Sequence, residues 1–296
     1  MFESSAKPTL NIIGCGRLGQ TLAYLWTQAD LVKVSQVLNS SLASSQAALE
    51  FIHEGQALDS MNELQAADFY LLGTPDKALA STAEALAKCY VLKAGDVVFH
   101  CSGALGSDLL QPLAEQGALI ASVHPIKSFA QPEQAILSFA PTYCGVEGDE
   151  AALKRLKPLF EQIGGITFKI DTEHKTLYHA ASVFACNYLV ALQSISLRTF
   201  AQAGVEEALA LNILQPIVQD TVANIFRLSP SAALTGPIAR GDAAVVAKQL
   251  AVLEATNDLD AECYRVLGLE ALSLATAQGK TASEHLQAVA TVLKRS

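Results

Sequence analysis

The sequence predicts an α/β fold, a doubly wound parallel sheet, followed by an all-helical half. Three observations carry that prediction. Short β-rich apolar runs alternate with helical periods from Leu10 to Ile170, a glycine-rich turn follows the first run, and strand signals all but vanish after Asp171. Strand, loop, helix and strand at this rhythm build parallel βαβ units with helices on both faces.

Leu10 to Ile13 is the first strand and ends at Gly14; Leu18, Leu22, Leu25, Trp26 and Ala29 then recur at helical spacing. Leu31 to Leu38 is the second strand. Phe69 to Leu72, Val97 to His100 and Leu119 to Val123 follow, running into Thr74-Pro75-Asp76, Ser102-Gly103 and His124-Pro125. Thr142 to Val146, a helix from Glu150 to Ile163, and Thr167 to Ile170 close the sheet. Beyond it, Ala/Leu-rich helical stretches cover 175–203, 206–227, 243–257 and 258–278, with a last helix after Thr281. Gly204, Ser229-Pro230, Gly236-Pro237, Gly241-Asp242 and Gly279 punctuate them. The expected domains are 1–171 and 172–296.

The 296 residues, with 20 basic against 29 acidic side chains and a net charge of −9, suit two domains of ordinary size. Apolar residues reach 51% and charged ones only 17%, below the usual ~25%. That balance excludes disorder and implies apolar surface hidden in a subunit interface, so a homodimer through the helical half is expected. An acidic chain with seven arginines argues against a nucleic-acid partner. The longest nearly apolar run, Ala180 to Leu192, falls short of the ~20 residues of a membrane span and reads as a buried helix. Met1 to Pro8, with Glu3 and Lys7, has no signal-peptide core. Six cysteines without CxxC spacing read as reduced thiols of a cytoplasmic protein, with no metal site.

Gly14-Cys15-Gly16-Arg17-Leu18-Gly19 fits G-x-G-x-x-G between a strand and a helix, the context that gives this pattern a mechanism. Gly14 permits the tight turn, Gly16 lets a pyrophosphate approach the backbone, Gly19 allows close helix–strand packing, and the helix N-terminus offers free N–H groups. A Rossmann-type dinucleotide site is the expectation. NAD sites carry Asp or Glu about 20 residues on. Here that position is Asn39, followed by Ser40 and Ser41. With no carboxylate to repel a 2′-phosphate, three short polar side chains, Asn39, Ser40 and Ser41, able to hydrogen-bond it, and Arg17 as a cationic partner, the balance favours NADP over NAD; the alternative for Ser40 and Ser41 is a helix cap.

Ligands of such sheets lie beyond the carboxyl ends of the strands. Gly73-Thr74-Pro75-Asp76 is expected beside the cofactor ribose, with Asp76 capping the next helix. Cys101 and Ser102 are expected near the nicotinamide ring, and His100 as a histidine tied to backbone. His124 is a candidate for proton transfer or substrate orientation, with Lys127 as a substrate contact beside it. Lys175, His179, Ser182 and Cys186 follow i, i+4, i+7, i+11 on one helix stripe, with Asn187 alongside. That stripe is either a solvated face or a wall of a substrate cleft. In Thr235–Asp242, Asp242 reads as an N-cap and Arg240 as a carboxylate clamp.

Taken together, Gly14–Gly19, Gly73–Asp76, His100–Gly103, Ser122–Phe129, Tyr178-His179-Ala180-Ala181 with Asn187, and Thr235–Asp242 resemble an uncharacterised bacterial family. Its members join a Rossmann-like NADP-binding domain to a C-terminal helical domain of unknown function. The architecture is similar to 6-phosphogluconate dehydrogenase-like reductases, pyrroline-5-carboxylate reductase among them. The resemblance implies a cytoplasmic, dimeric, NADP-dependent oxidoreductase acting on a small carbonyl, imine or alcohol. His124 would manage the proton, Ser102 and Asn187 would polarise the substrate, and Lys175, His179 or Arg240 would bind a carboxylate. Ser122-x-His124-Pro125 resembles the His-Pro motif of prephenate dehydrogenases. The Gly-x-x-x-Lys helix of β-hydroxyacid dehydrogenases is absent, because Asp171 stands four residues before Lys175. The alternative is a protein that binds NADP(H) as a regulator or sensor without turnover.

Overall fold

The computed structural model describes residues 7–294. Of the stretch read for a leader, Met1 to Ala6 lie outside the described residues. The chain divides after Asn187 into two compact units.

The first unit is an eight-stranded sheet with helices. In order it runs β1 (Thr9–Ile13), α1 (Arg17–Gln28), β2 (Lys33–Leu38), α2 (Leu42–Ile52), β3 (Gln56–Leu58), β4 (Phe69–Leu72), α3 (Asp76–Ala87) and β5 (Val97–His100). There follow α4 (Gln111–Ala114), β6 (Leu119–Pro125), α5 (Pro132–Leu137), β7 (Thr142–Gly148), α6 (Glu150–Gln162), β8 (Gly165–Lys169) and α7 (Lys175–Ser182). The strand order 3-2-1-4-5-6-7-8 reverses direction between β1 and β4, the switch point of a doubly wound sheet.

Alternation along the strands places a core on each face. Leu10, Ile12, Val34, Leu71, Phe99 and Val123 point to one side, toward Trp26 of α1 and Phe160 of α6. Ile13, Leu38, Tyr70, Leu72, Val98 and Ile120 point to the other, toward Leu79 and Leu86 of α3. Trp26 and Phe160 meet edge to face at 5.1 Å, and the buried indole N–H donates to the Leu159 carbonyl at 2.9 Å. That bond satisfies the one polar atom of a large buried side chain.

One strand departs from the parallel expectation: β7 runs antiparallel to β6. The connection leaves β6 at its carboxyl end, and its short helix α5 packs on α1 instead of crossing back over the sheet. The chain re-enters at the end it left, with Ile126 N–H bonded to the Tyr143 carbonyl. The edge strand β3 pairs with β2 and has no counterpart in the sequence reading; three residues are too few to show alternation.

The second unit is helical: α8 (Tyr188–Gln202), α9 (Glu207–Leu228), α10 (Pro230–Ala233), α11 (Ala243–Thr256), α12 (Asp258–Gln278) and α13 (Ser283–Leu293). Asp242 caps α11 by accepting from Val245 N–H, and Asn257 caps α12 in the same way. Val246, Val289 and Leu293 form a small core.

Two expectations for the helical stretch change. Val183–Asn187 is a π turn, so the stripe read at uninterrupted α spacing holds for Lys175, His179 and Ser182 but loses register before Cys186. The run 180–192 is not a buried helix within this chain, because α8 has no buried residue. By length and composition alone, Thr172–Gln202 is one helical stretch apolar enough to cross a membrane, longer than the interrupted run considered from sequence.

Candidate functional site

The glycine turn leaves β1 at the switch point. Gly14 has φ +86°, and a Cβ there would stand 2.5 Å from Thr74 N, so both the backbone angle and the contact with the β4 loop require glycine. Gly73 meets the Gly14 carbonyl from the other side, so these two glycines let the two strand-end loops touch. Gly19 packs on Cys15 Sγ and Ile12, the helix–strand contact expected of it. Gly16 is different: nothing lies within 4 Å of the place where its Cβ would be. Gly16 is also the N-cap of α1, with no side chain capping it and no acidic residue in the first turn. Gln20 donates the first helical bond, to Gly16 O at 2.8 Å. The N–H groups of Arg17, Leu18 and Gly19 precede it and have no helical acceptor. Open backbone and unpaired donors fit a pyrophosphate.

At the end of β2, Asn39 is committed internally. Its Oδ1 accepts from Cys15 N–H at 2.6 Å and its Nδ2 donates to Ser44 O at 2.9 Å, tying the glycine turn to the start of α2. Ser41 caps α2 through Ser44 N–H, the helix-capping role left open for it. Ser40 and Arg17 are exposed, and neither side chain has a partner among the described residues. Cys15 itself is buried, and burial pushes its thiol up to about 12. After β4, Thr74 Oγ1 lies 3.4 Å from Thr82 Oγ1, and Asp76 is the first residue of α3; the N-cap is Pro75, so Asp76 does not cap it by a side-chain bond.

The β5 loop is built on His100, fully buried at the strand end. Its Nδ1 accepts from Ser102 N–H at 3.1 Å and its Nε2 faces Gly106 O at 3.1 Å, the backbone-tied arrangement expected. Ser102 Oγ in turn accepts from Ala104 and Leu105 N–H, leaving its own O–H to donate. Burial drives the Cys101 thiol far up, so it is no thiolate.

His124 lies on β6, with Nδ1 2.9 Å from the Tyr178 hydroxyl. Its ring stands 5.8 Å from that of His179. A Cβ on Gly103 would lie 2.5 Å from His179 Nδ1 and 2.7 Å from His124 Nε2, so both imidazoles close on that loop glycine. His179 Nδ1 is buried without a partner. Burial, then the neighbouring His179 and Lys175, bring His124 down to about 4, so the ring is neutral at pH 7.

Lys175 does not face solvent. Its ammonium is buried, 2.8 Å from Glu147 Oε1 and bonded to Ser122 Oγ. Glu147 also accepts from Ser107 N–H at 2.9 Å, Ser107 Oγ at 2.6 Å and Thr172 Oγ1 at 3.1 Å. This cluster anchors the first turn of α7 and so carries Tyr178 and His179 to His124. Lys127 bonds the Ser138 carbonyl at 2.7 Å; Ser182 is half-buried, and Asn187 is exposed at the end of the π turn. Arg240 is exposed in the second unit, in the turn before α11. Glu147 and Tyr178 have no role in the sequence reading. Glu147 had a signal, a carboxylate inside an apolar strand that demands a buried partner; Tyr178 stood in the Tyr178–Ala181 segment that carries the resemblance, with no role attached.

A family model described as a Rossmann-like domain matches residues 4–125, and one described as a domain of unknown function (DUF2520) matches residues 142–271. No curated protein matches the sequence. Protein TM1727 from Thermotoga maritima is 27% identical, with a TM-score of 0.72 over 92% of this chain and 100% of its own. A candidate NADP oxidoreductase, BF3122, from Bacteroides fragilis has a TM-score of 0.72 at 18% identity, over 90% of this chain and 98% of its own. A pyrroline-5-carboxylate reductase from Coxiella burnetii has 0.58 at 17%, over 93% and 98%. At those identities the last two share the fold. The chain carries a Rossmann-like domain followed by a DUF2520 domain.

Proposed function

We propose that this chain is an NADP-dependent oxidoreductase that moves a hydride between the cofactor and a small carbonyl, imine or alcohol. The observation that carries the reading is the open backbone at Gly16, beside an uncapped helix N-terminus at the switch point of the sheet. Similarity in fold to a candidate NADP oxidoreductase and a pyrroline-5-carboxylate reductase supports it. The turn residues Gly14 to Gly19 hold the pyrophosphate. Gly73 to Asp76, Cys101 and Ser102 line the remaining strand ends. A bound nicotinamide supplies or receives the hydride. Arg17 and Ser40 favour a 2′-phosphate, since no carboxylate stands at the end of β2 to repel it and Ser41 is taken up as the cap of α2. Asn39 acts by shaping the turn. His124 bonds the reacting group, with the Ser102 hydroxyl and His179 beside it.

The chain works as a homodimer in the cytoplasm. Exposed Phe226, Val190 and Leu259 support the dimer, and six free thiols suit a reducing compartment.

Thermal unfolding with NADPH, NADP, NADH and NAD in parallel tests the site. A ligand at 100 times its Kd adds about 2.7 kcal/mol, a shift of roughly 2–4 °C per kcal/mol for a chain of this size. A shift with the phosphorylated pair alone is expected. No shift with any of the four removes the reading. Binding without turnover across a carbonyl, imine and alcohol screen would favour a sensor.

A further inference from the structure

Tyr178 is a polar side chain in contact with His124 that the proposed function leaves unused. Its hydroxyl lies 2.9 Å from His124 Nδ1, with the rings 5.7 Å apart and nearly perpendicular. Room for it comes from the neighbouring strand. Gly145 of β7 is the Cα partner of His124 on β6, and a Cβ there would meet the Tyr178 oxygen at 3.0 Å and collide with Ile170. A glycine inside a strand often marks such a close approach.

Which atom donates follows from counting protons and acceptors. His124 Nδ1 is the acceptor within reach of the Tyr178 hydroxyl among the described residues. If His124 instead donated from Nδ1, the phenol, which burial pushes up to about 12 and keeps protonated, would have no acceptor for its proton among the described residues. A phenol is also the better acid and an imidazole the better base, so O–H···N is the favoured direction. A neutral imidazole that accepts at Nδ1 carries its single proton on Nε2. That nitrogen faces Gly103.

We propose that Tyr178 is a positioning residue that locks His124 in the Nε2–H tautomer, so that His124 meets the substrate as a neutral hydrogen-bond donor. The inference rests on the oxidoreductase reading and narrows it. A neutral Nε2–H pairs with an acceptor, such as the oxygen of a carbonyl or an alcohol. A protonated imine presents its own N–H, setting donor against donor. The site therefore takes the carbonyl/alcohol couple and rejects the imine/amine couple.

The test is 15N NMR of the whole protein labelled at its six histidines, with His124→Gln identifying the His124 signals. Near neutral pH, Nδ1 should resonate as an unprotonated ring nitrogen and Nε2 as a protonated one. In Tyr178→Phe the two tautomers should mix and the His124 pKa should rise, because a bond to the neutral form is lost, while the NADPH thermal shift persists. A proton on Nδ1 in the wild type, or an unchanged tautomer in Tyr178→Phe, overturns the lock. Should Tyr178→Phe not fold, the wild-type spectrum decides. Turnover of cyclic imines but not of ketones or aldehydes overturns the substrate class. A wild-type protein with the stated tautomer and no dinucleotide shift would sink the oxidoreductase reading and leave the lock standing.

Discussion

The Lys175 ammonium lies 2.8 Å from the Glu147 carboxylate with both side chains 1% exposed, and this ion pair joins the first turn of α7 to β7. Removing one partner strands the other charge in a medium that cannot solvate it. Lys175→Met and Glu147→Leu should each cost about 3–5 kcal/mol, and the double variant should recover much of the loss. Chemical denaturation of the four proteins measures the coupling; simple additivity would mean the pair does not interact.

Stability should fall in acid. Burial first, with Lys175 second, brings His100 down to about 4, and His124 reaches about 4 as well. A depressed folded value means the contribution is whole above the unfolded value of 6.5 and is lost as pH falls through about 4. Burial raises the Glu147 carboxyl, but the bonds from Lys175 and Ser107 outweigh it and hold it below 4.5, so its contribution is whole above 4.5 and is lost as pH falls below that. Unfolding free energy against pH should show a shallower slope between 6.5 and 4 in His124→Gln.

Gly16→Ala and Gly14→Ala should separate binding from folding. Gly16 has open space and φ −77°, so alanine should leave stability within ~0.5 kcal/mol while weakening NADPH binding at least tenfold, about 1.4 kcal/mol. At Gly14, φ +86° and the 2.5 Å approach to Thr74 N should make alanine destabilising by about 1–3 kcal/mol. Calorimetry and melting curves distinguish the two; unchanged NADPH affinity in Gly16→Ala would remove the pyrophosphate from that turn.

Cofactor choice should respond to charge at the end of β2. Asn39→Asp keeps the acceptor for Cys15 N–H, loses the donor to Ser44 O and adds a carboxylate, so stability should drop while NADPH loses roughly tenfold or more relative to NADH. Arg17→Ala should lower NADPH affinity with little effect on NADH. Dissociation constants for both cofactors decide; equal losses would assign Arg17 to the shared part of the dinucleotide.

Sedimentation should give a dimer. Val190 is 71% exposed on a helix with no buried residue, and Val190→Glu should shift the population toward monomer. A wild-type monomer would refute the assembly.

By itself the sequence determined the local chemistry. Period-two and 3.6-residue patterns locate most strands and helices, because side-chain direction along each element follows from backbone geometry. The six residues from Gly14 to Gly19 specify an open, uncapped helix start: Gly14 takes an angle and an approach that a side chain would not allow, and Gly16 leaves the backbone bare. What sequence could not decide is which distant groups meet. Glu147 finds Lys175, and Tyr178 finds His124, because β7 turns antiparallel and α7 folds back over it; residues 28 and 54 apart then touch. The same pairing commits Lys175, whose stripe was read as either a solvated face or a cleft wall, to a buried ion pair; at the other end of the sheet, the Asn39 side chain, expected at a 2′-phosphate, is taken up by Cys15 N–H and Ser44 O. A side chain's partner is set by the folded path between two positions, and no local pattern records that path.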